Sequence, residues 1–302
     1  MANITATAAR SAGFIPEVWA NRAIEVLRAN VVLAKLVMRD TDVAAQQVGD
    51  VLHIAYPGVF TAVEKSADTA IAPQVPSGGA EVQVSLNKHR HVTFVIEDAA
   101  RATANPAIID RYIEAAVPAL AEAIESDLFA LYANITTSVG TSGTALTPAT
   151  VLAARKAMND NKAPLANRHL VISTKDEAAL LGDSGLASYF AYKGDGETPD
   201  MVGRLYGFNV WMSQLVPAVA GTPVSTKNLA FTPGAFILAM RGLPEPPAGS
   251  GAQAVTLRDP QTGLVLRVLF AYNPSHLGVQ VTVDVLYGVK VLNDKEACVV
   301  LA

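Results

Sequence analysis

In residues 81–97, EVQVSLNKHRHVTFVIE, apolar Val82, Val84 and Leu86 alternate with Gln83, Ser85 and Asn87. A period of two gives a strand one apolar and one polar face. VLHIAY at 51–56 reads as its partner. Between them lies EKSADTAIAPQVPSGGAE at 64–81, small, polar and broken by two prolines and a Gly-Gly pair. Connections longer than about 12–15 residues are uncommon in compact domains and tend to be functional or disordered. The pattern therefore predicts a long two-stranded hairpin whose tip has work to do away from its own core.

The period changes in residues 105–134, NPAIIDRYIEAAVPALAEAIESDLFALYAN. Ile109, Ile113, Val117, Leu120, Ile124, Leu128 and Leu131 follow one another at steps of three or four. That is one continuous helical stripe, and a rod of roughly 40–45 Å at the usual rise. Asn105 is placed to cap it and Pro106 to start it; Pro118 is placed to bend it. A second helical rhythm runs through FIPEVWANRAIEVLRANVVLAKLV, with Pro16 in a first turn and Trp19, Ala23, Val26, Leu27, Val31 and Leu33 apolar. Residues 1–12 are small and polar and read as a loose arm.

After the connector TTSVGTSGTAL at 136–146 the pattern is mixed. TPATVLAARKAMNDNKAP and KDEAALLGD read as helices; RHLVIST, GFNVWMS, NLAFTP and AFILAMR read as short strands. GLPEPPAGSGAQ at 242–253 is a surface loop. The C-terminal part is β, with Val279, Val281, Val283 and Val285 alternating with Gln280, Thr282 and Asp284. The fold class is α+β.

Composition narrows the function. The 302 residues are 51% hydrophobic and only 17% charged, which suits a chain that covers part of its surface with other subunits. The net charge is −4 and no basic run occurs, against direct reading of DNA or RNA. The single cysteine, Cys298, lies in ACVVLA and reads as a small buried hydrophobe. No apolar run reaches the roughly 18 residues of a membrane span, and the N-terminus lacks a signal-peptide core. The chain is expected in the cytoplasm where it is made.

Chemical motifs are sparse. Gly182-Asp183-Ser184-Gly185 resembles the nucleophile neighbourhood of trypsin-like proteases, with His169 as the best upstream base. A helix C-terminus capped by Gly182 explains the same residues more simply. His89 and His91 share a strand face, with His53 on the opposite strand, a pattern that could begin a metal site. A partly exposed polar strand face is the simpler account and is preferred. YKGDGETPD lacks the Lys-Ser/Thr of a P-loop. No catalytic, cofactor-binding or metal residue is assigned, and no cofactor is expected. Glu64, Lys65 and Asp68 at the hairpin tip are assigned to an inter-subunit contact, because the length of the hairpin needs a partner surface.

The order of these parts resembles the major capsid proteins of tailed bacteriophages with the Hong Kong 97-type fold. FIPEVWANRAIEVLRANVVLAKLV is similar to their opening arm, VGDVLHIAYPG through VIED to their extended E-loop, and NPAIIDRYIEAAVPALAEAIESDLFALY to their long P-domain helix. VGRLYGFNVWMSQLVP and NLAFTPGAFILAMR resemble axial-domain strands, and VTVDVLYGVKVLNDKEACVVL the closing P-domain strands with a Leu-Tyr-Gly-Val turn. The resemblance implies an N-terminal arm at 1–48, an E-loop hairpin at 49–98, a P-domain with spine helix at 99–135, an A-domain at 136–263 and P-domain strands at 264–302.

It further implies a structural protein, not an enzyme, that self-assembles through pentamers and hexamers into an icosahedral head around double-stranded DNA, which it does not bind by sequence. Implied partners are a scaffolding protein, a portal and a decoration protein; since the chain starts almost at the arm, either a separate scaffolding protein or an already processed form is expected, and the numbering from Met1 favours the separate protein. The implied location is the virion capsid, assembled in the host cytoplasm without a membrane. Some members join subunits through a hairpin lysine, and Lys65 lies in that region. Two other readings stand beside this one: an encapsulin-like compartment shell, and a hydrolase using Ser184.

Overall fold

The computed structural model describes residues 23, 31–40, 51–56, 60–71, 73, 75, 80–99, 108–183, 201–220, 223–247, 249–258 and 264–302. Along the chain come α1 (Leu33–Leu36), β1 (Met38–Asp40), β2 (Val51–Tyr56), β3 (Ala80–Ser85), β4 (Lys88–Glu97) and α2 (Ile108–Phe129). Then follow β5 (Ser138–Gly140), α3 (Pro148–Asp160), β6 (Arg168–Ile172), α4 (Thr174–Leu181), β7 (Met201–Leu205), β8 (Phe208–Met212) and β9 (Ala218–Val219). The last part holds β10 (Ser225–Phe231), β11 (Phe236–Arg241), β12 (Ala252–Arg258), β13 (Val265–Asn273), β14 (Gly278–Val291) and β15 (Ala297–Leu301).

The 22-residue helix α2 is roughly 33 Å long and carries the expected stripe. Val117, Leu120, Ile124, Leu128 and Leu131 are all buried, and Pro118 lies inside the helix. The helix gives way to a 3₁₀ turn at Ala130–Asn134, so its regular part is shorter than the stripe suggests. Asn105 and Pro106 lie outside the described residues, as do Pro16, Trp19, Val26 and Leu27. Ala23, Val31 and Leu33 of the N-terminal rhythm are buried. That rhythm does not run on as helix through Val37: α1 is a single turn, and Met38–Asp40 is a strand parallel to β11.

α2 packs on a six-stranded sheet ordered β1-β11-β14-β13-β12, with β4 paired to β14. Val281, Val283, Val285 and Tyr287 of β14 share one core with the helix. Position 127 fastens the two. Asp127 accepts hydrogen bonds from Tyr287 (2.6 Å) and Arg90 (3.4 Å), and Lys88 pairs with it at 2.7 Å. Burial works to raise the Asp127 carboxyl; the Lys88 and Tyr287 bonds and the charges of Lys88 and Arg90 outweigh it, leaving it below the usual carboxylate range.

A seven-stranded sheet, ordered β5-β15-β10-β6-β8-β7 with β9 on β10, forms the second body. Its central strands are buried on both faces. Val171, Leu229, Phe231 and Val299 face the core shared with α2; Leu170, Ile172, Ala230, Cys298 and Val300 face a second core with Val151, Ala154 and Met158 of α3. Burial on both faces explains why RHLVIST, NLAFTP and ACVVLA are continuous apolar runs rather than alternating ones. Thr147 and Ser173 cap α3 and α4 with their side chains. Asp176 in the first turn of α4 is fully buried, and one of its oxygens accepts from Ser173, Thr226 and Asn228 at 2.5–2.7 Å.

Cys298 is fully buried, and burial pushes its thiol up to about 12. We predict that the native protein does not react with a disulfide reagent at neutral pH and releases one equivalent once denatured. Rapid labelling of the native protein would contradict the assigned burial.

Candidate assembly surface

β2 and β3 form a separate antiparallel pair, in register from Val51↔Ser85 to Tyr56↔Ala80. Leu52 and Ile54 of β2, Val82 and Val84 of β3, and Leu86 face one way. They pack over Ile237 and Ala239 of β11, with Leu292 beside them. The other side of β11, Phe236, Leu238 and Met240, faces the core of α2. The hairpin root thus lies on the back of the sheet. Lys290 donates to the Gln83 carbonyl at 2.7 Å, and the backbone of Ser85 comes so close to Gly288 that a Cβ there would lie 2.2 Å from its carbonyl oxygen. Gly288 sits within the long strand β14. The Leu-Tyr-Gly-Val segment is therefore not a turn, and its glycine is explained by the crossing strand.

The return limb, read as one strand from 81 to 97, is two. The chain leaves strand geometry at Leu86 and Asn87, and β4 then pairs with β14 over Lys88–Glu97. Only β3 belongs to the two-stranded hairpin. The two parts of the return limb are thus rooted by different neighbours, β11 beneath β3 and β14 beside β4.

Beyond the paired strands the chain carries no regular structure over residues 60–66. A turn at 66–69 is closed by the Thr69 hydroxyl donating to the Ser66 carbonyl at 2.7 Å, with Asp68 in the left-handed region at φ 61°. Glu64, Lys65 and Asp68 are exposed, and no ion pair joins them to another described residue. Apolar side chains stand in the open among them: Phe60 is 63% exposed, Val63 73%, Ile71 78% and Val75 91%. Val63, Ile71 and Pro73, with Glu64, Lys65, Thr69 and Ala70, line a concavity of about 290 Å³. An apolar group of this size in water points to a contact with another molecule.

Comparison with known proteins decides the family. The family model described as phage capsid protein matches residues 79–301. The chain belongs to that family. Among solved structures it is similar to one titled Mycobacterium phage Che8, at 19% identity over 89% of this chain and 90% of the other, with a TM-score of 0.63. The capsid of an empty GTA particle gives 12% identity over 91% and 90%, with a TM-score of 0.59. The holo-SrpI encapsulin complex from Synechococcus elongatus PCC 7942 gives 14% over 89% and 85%, with a TM-score of 0.53. No curated protein matches the sequence. The fold is the capsid fold of Hong Kong 97 type, and the subunit is a shell protein, not an enzyme.

The other candidate residues of this capsid subunit either make contacts of their own or lie outside the described residues. Ser184 and Gly185 lie outside the described residues, and Gly182 ends α4 as its C-cap. His169 accepts the Trp211 indole N–H at Nδ1, 3.2 Å away, and lies near the Phe231 ring. Burial lowers its pKa, and its base nitrogen is already engaged. The three histidines do not converge. His53 pairs with Glu81, His89 with Asp284 at 3.0 Å, and His91 contacts Thr93. Among the described residues no cluster fit to hold a metal is formed. Sequence reading missed Asp284, which is 3% exposed although it falls on the polar side of β14. Arg267 covers it with two hydrogen bonds, at 3.0 and 2.6 Å. The signal lay in cross-strand register, which places Arg267 opposite Asp284.

Because the atom facing Gly288 is backbone, Gly288→Ala must shift β3. We expect a cost of about 1–3 kcal/mol, seen as faster amide exchange across 80–86, with β13 still protected. Unchanged exchange at 80–86 would mean that the hairpin root is not fixed by this crossing.

Proposed function

We propose that the protein is the major capsid protein of a tailed phage, assembling through pentamers and hexamers into an icosahedral head around double-stranded DNA. The observation that carries the reading is the hairpin tip. A member of the phage capsid family holds four large apolar side chains in water at the end of an arm rooted on its own sheet. On this reading residues 49–98 contain the E-loop, α2 is the spine of the P-domain at 99–135 and 264–302, and the seven-stranded sheet is the A-domain at 136–263. The N-terminal arm is 1–48.

The tip lies across a neighbouring subunit. Val63 and Ile71 enter its surface, and Glu64, Lys65 and Asp68 set the orientation. Burial there is worth about 25 cal/mol per Å² of apolar area. Each contact can remain weak, since a closed shell multiplies it. The acidic net charge leaves packaged DNA free of the wall. A scaffolding protein, a portal and a decoration protein are the partners such a shell calls for, with assembly in the host cytoplasm. Among the described residues no helix is long and apolar enough to cross a membrane.

Negative-stain electron microscopy with light scattering on the purified protein tests the assembly. Closed shells, or sheets of pentamers and hexamers, are expected; a stable monomer, even with a scaffolding protein, would overturn the reading. Particles filled with enzyme cargo rather than DNA would move the assignment to a compartment shell.

Deletion of residues 66–79 and the pair Val63→Asp with Ile71→Asp test the tip. Both are expected to leave a folded subunit with native circular dichroism and to give few or fragile shells. Wild-type yield and heat resistance in both would remove the tip from assembly.

A further inference from the structure

No charged residue lies between Arg204 and Lys227 in the sequence. This stretch ends in the antiparallel pairing of β9 with the start of β10, Val219 opposite Ser225 and Ala218 opposite Thr226. Its apolar side chains do not fold inward. Val219 and Val224 are each 45% exposed, and Ala218, Ala220 and Pro223 are exposed beside them. Single exposed apolar residues need no explanation, but these five stand together on one strand pair without a charge among them.

The pair is braced from several sides. The Lys227 N–H donates to the Pro217 carbonyl at 2.9 Å. Thr226 exchanges backbone hydrogen bonds with Ala302, just after β15, at 2.8 and 3.2 Å. Lys175 of α4 donates to the Val224 carbonyl at 3.3 Å. Pro223 lies so close over Gly143 that a Cβ there would be 2.3 Å from its ring. An apolar surface fixed in this way loses little conformational entropy on contact.

Symmetry and charge point to the occupant. A hairpin tip that enters the surface of the next copy is a head-to-tail contact, which by itself closes a ring or runs on as a filament. A closed shell needs a second, independent contact elsewhere on the subunit. The tip is rooted on the six-stranded sheet, whereas β9 and β10 belong to the seven-stranded one. Where identical copies meet through the same surface, each charge meets its like, which is unfavourable. An uncharged patch avoids that repulsion. The flanking lysines are engaged by their own chain, Lys175 as above and Lys227 with Ser225 at 2.7 Å and Ser142 at 3.3 Å. Resting on the shell reading above, we propose that this face is a second contact between copies of this chain, the β9–β10 pair of one packing against that of its neighbours.

Val219→Asp with Val224→Asp tests it by placing like charges in every such contact. Both side chains are exposed, so the subunit should stay folded, with native circular dichroism and a protected Cys298. Closed particles, followed by light scattering and electron microscopy, should fall about tenfold or more relative to wild type. The milder pair Val219→Ser with Val224→Ser should give an intermediate yield. Val219→Cys supplies a positive signal: a short bis-maleimide should join copies into covalent dimers in assembled particles and not in dissociated subunits. Buried Cys298 gives no background. Wild-type yield in the Asp pair, or no dimers from assembled Val219→Cys particles, would overturn this contact alone. Normal self-assembly with lost binding of a scaffolding protein would give the face to that protein and overturn it equally. A wild-type protein that stays monomeric would instead overturn the shell reading, and this contact with it.

Discussion

β14 is the strand on which the other parts depend. Its fourteen residues pair with β4 on one side over 278–287, with β13 on the other over 278–284, and with β11 over 286–291. The alternation of Val279, Val281, Val283 and Val285 fixes which face meets α2. A slip of one residue would turn the valines to solvent and bring Gln280 and Thr282 into the core. It would also separate Tyr287 from Asp127, Asp284 from Arg267 and Gly288 from Ser85. Helix position, sheet pairing and hairpin root are therefore set by one register.

Polar groups inside the subunit act at the joints between elements. Asp127 ties α2 to β4 and β14, Asp284 ties β14 to β13 and to His89, Asp176 ties α4 to β10, and Glu125 ties α2 to the N-terminal segment. Buried ionic and polar contacts of this kind add little net stability over an apolar pair of the same volume, yet breaking one partner is costly. Their effect is to penalise alternative packings, which a large apolar composition would otherwise allow.

Where period alone carries the information, the sequence was readable. The stripe through Val117, Leu120, Ile124 and Leu128 marks α2, and the alternation of Val82 and Val84 marks β3. Glu125 was readable in principle: it stands four residues after Ala121 and three before Leu128, in phase with buried positions. What stayed hidden depends on contacts between distant segments. The break at Leu86 and Asn87 shows only once β4 is seen to leave β3's partner for β14. Gly288 looks like turn chemistry until a crossing strand requires the missing Cβ. The tip residues Glu64, Lys65 and Asp68 were assigned from the length of their loop alone, and Phe60, Val63, Ile71 and Val75 were not singled out, since single apolar residues in a loop carry no period.

The same physics explains why root and tip differ. The root has Leu52, Ile54, Val82 and Val84 on one face and a sheet beneath them, so it buries its apolar side within its own chain. The tip has Phe60, Val63, Ile71 and Val75 with no alternation and no underlying sheet. So many exposed apolar groups close together point to a contact with another molecule. If the contact is a neighbouring subunit, its chemistry must be undemanding, because every copy offers the tip to a slightly different setting around a shell. Aliphatic side chains and a turn held by Ser66 and Thr69 meet that demand. They adapt in shape, bury area without strict direction, and leave precise geometry to the root, where β3 passes against Gly288.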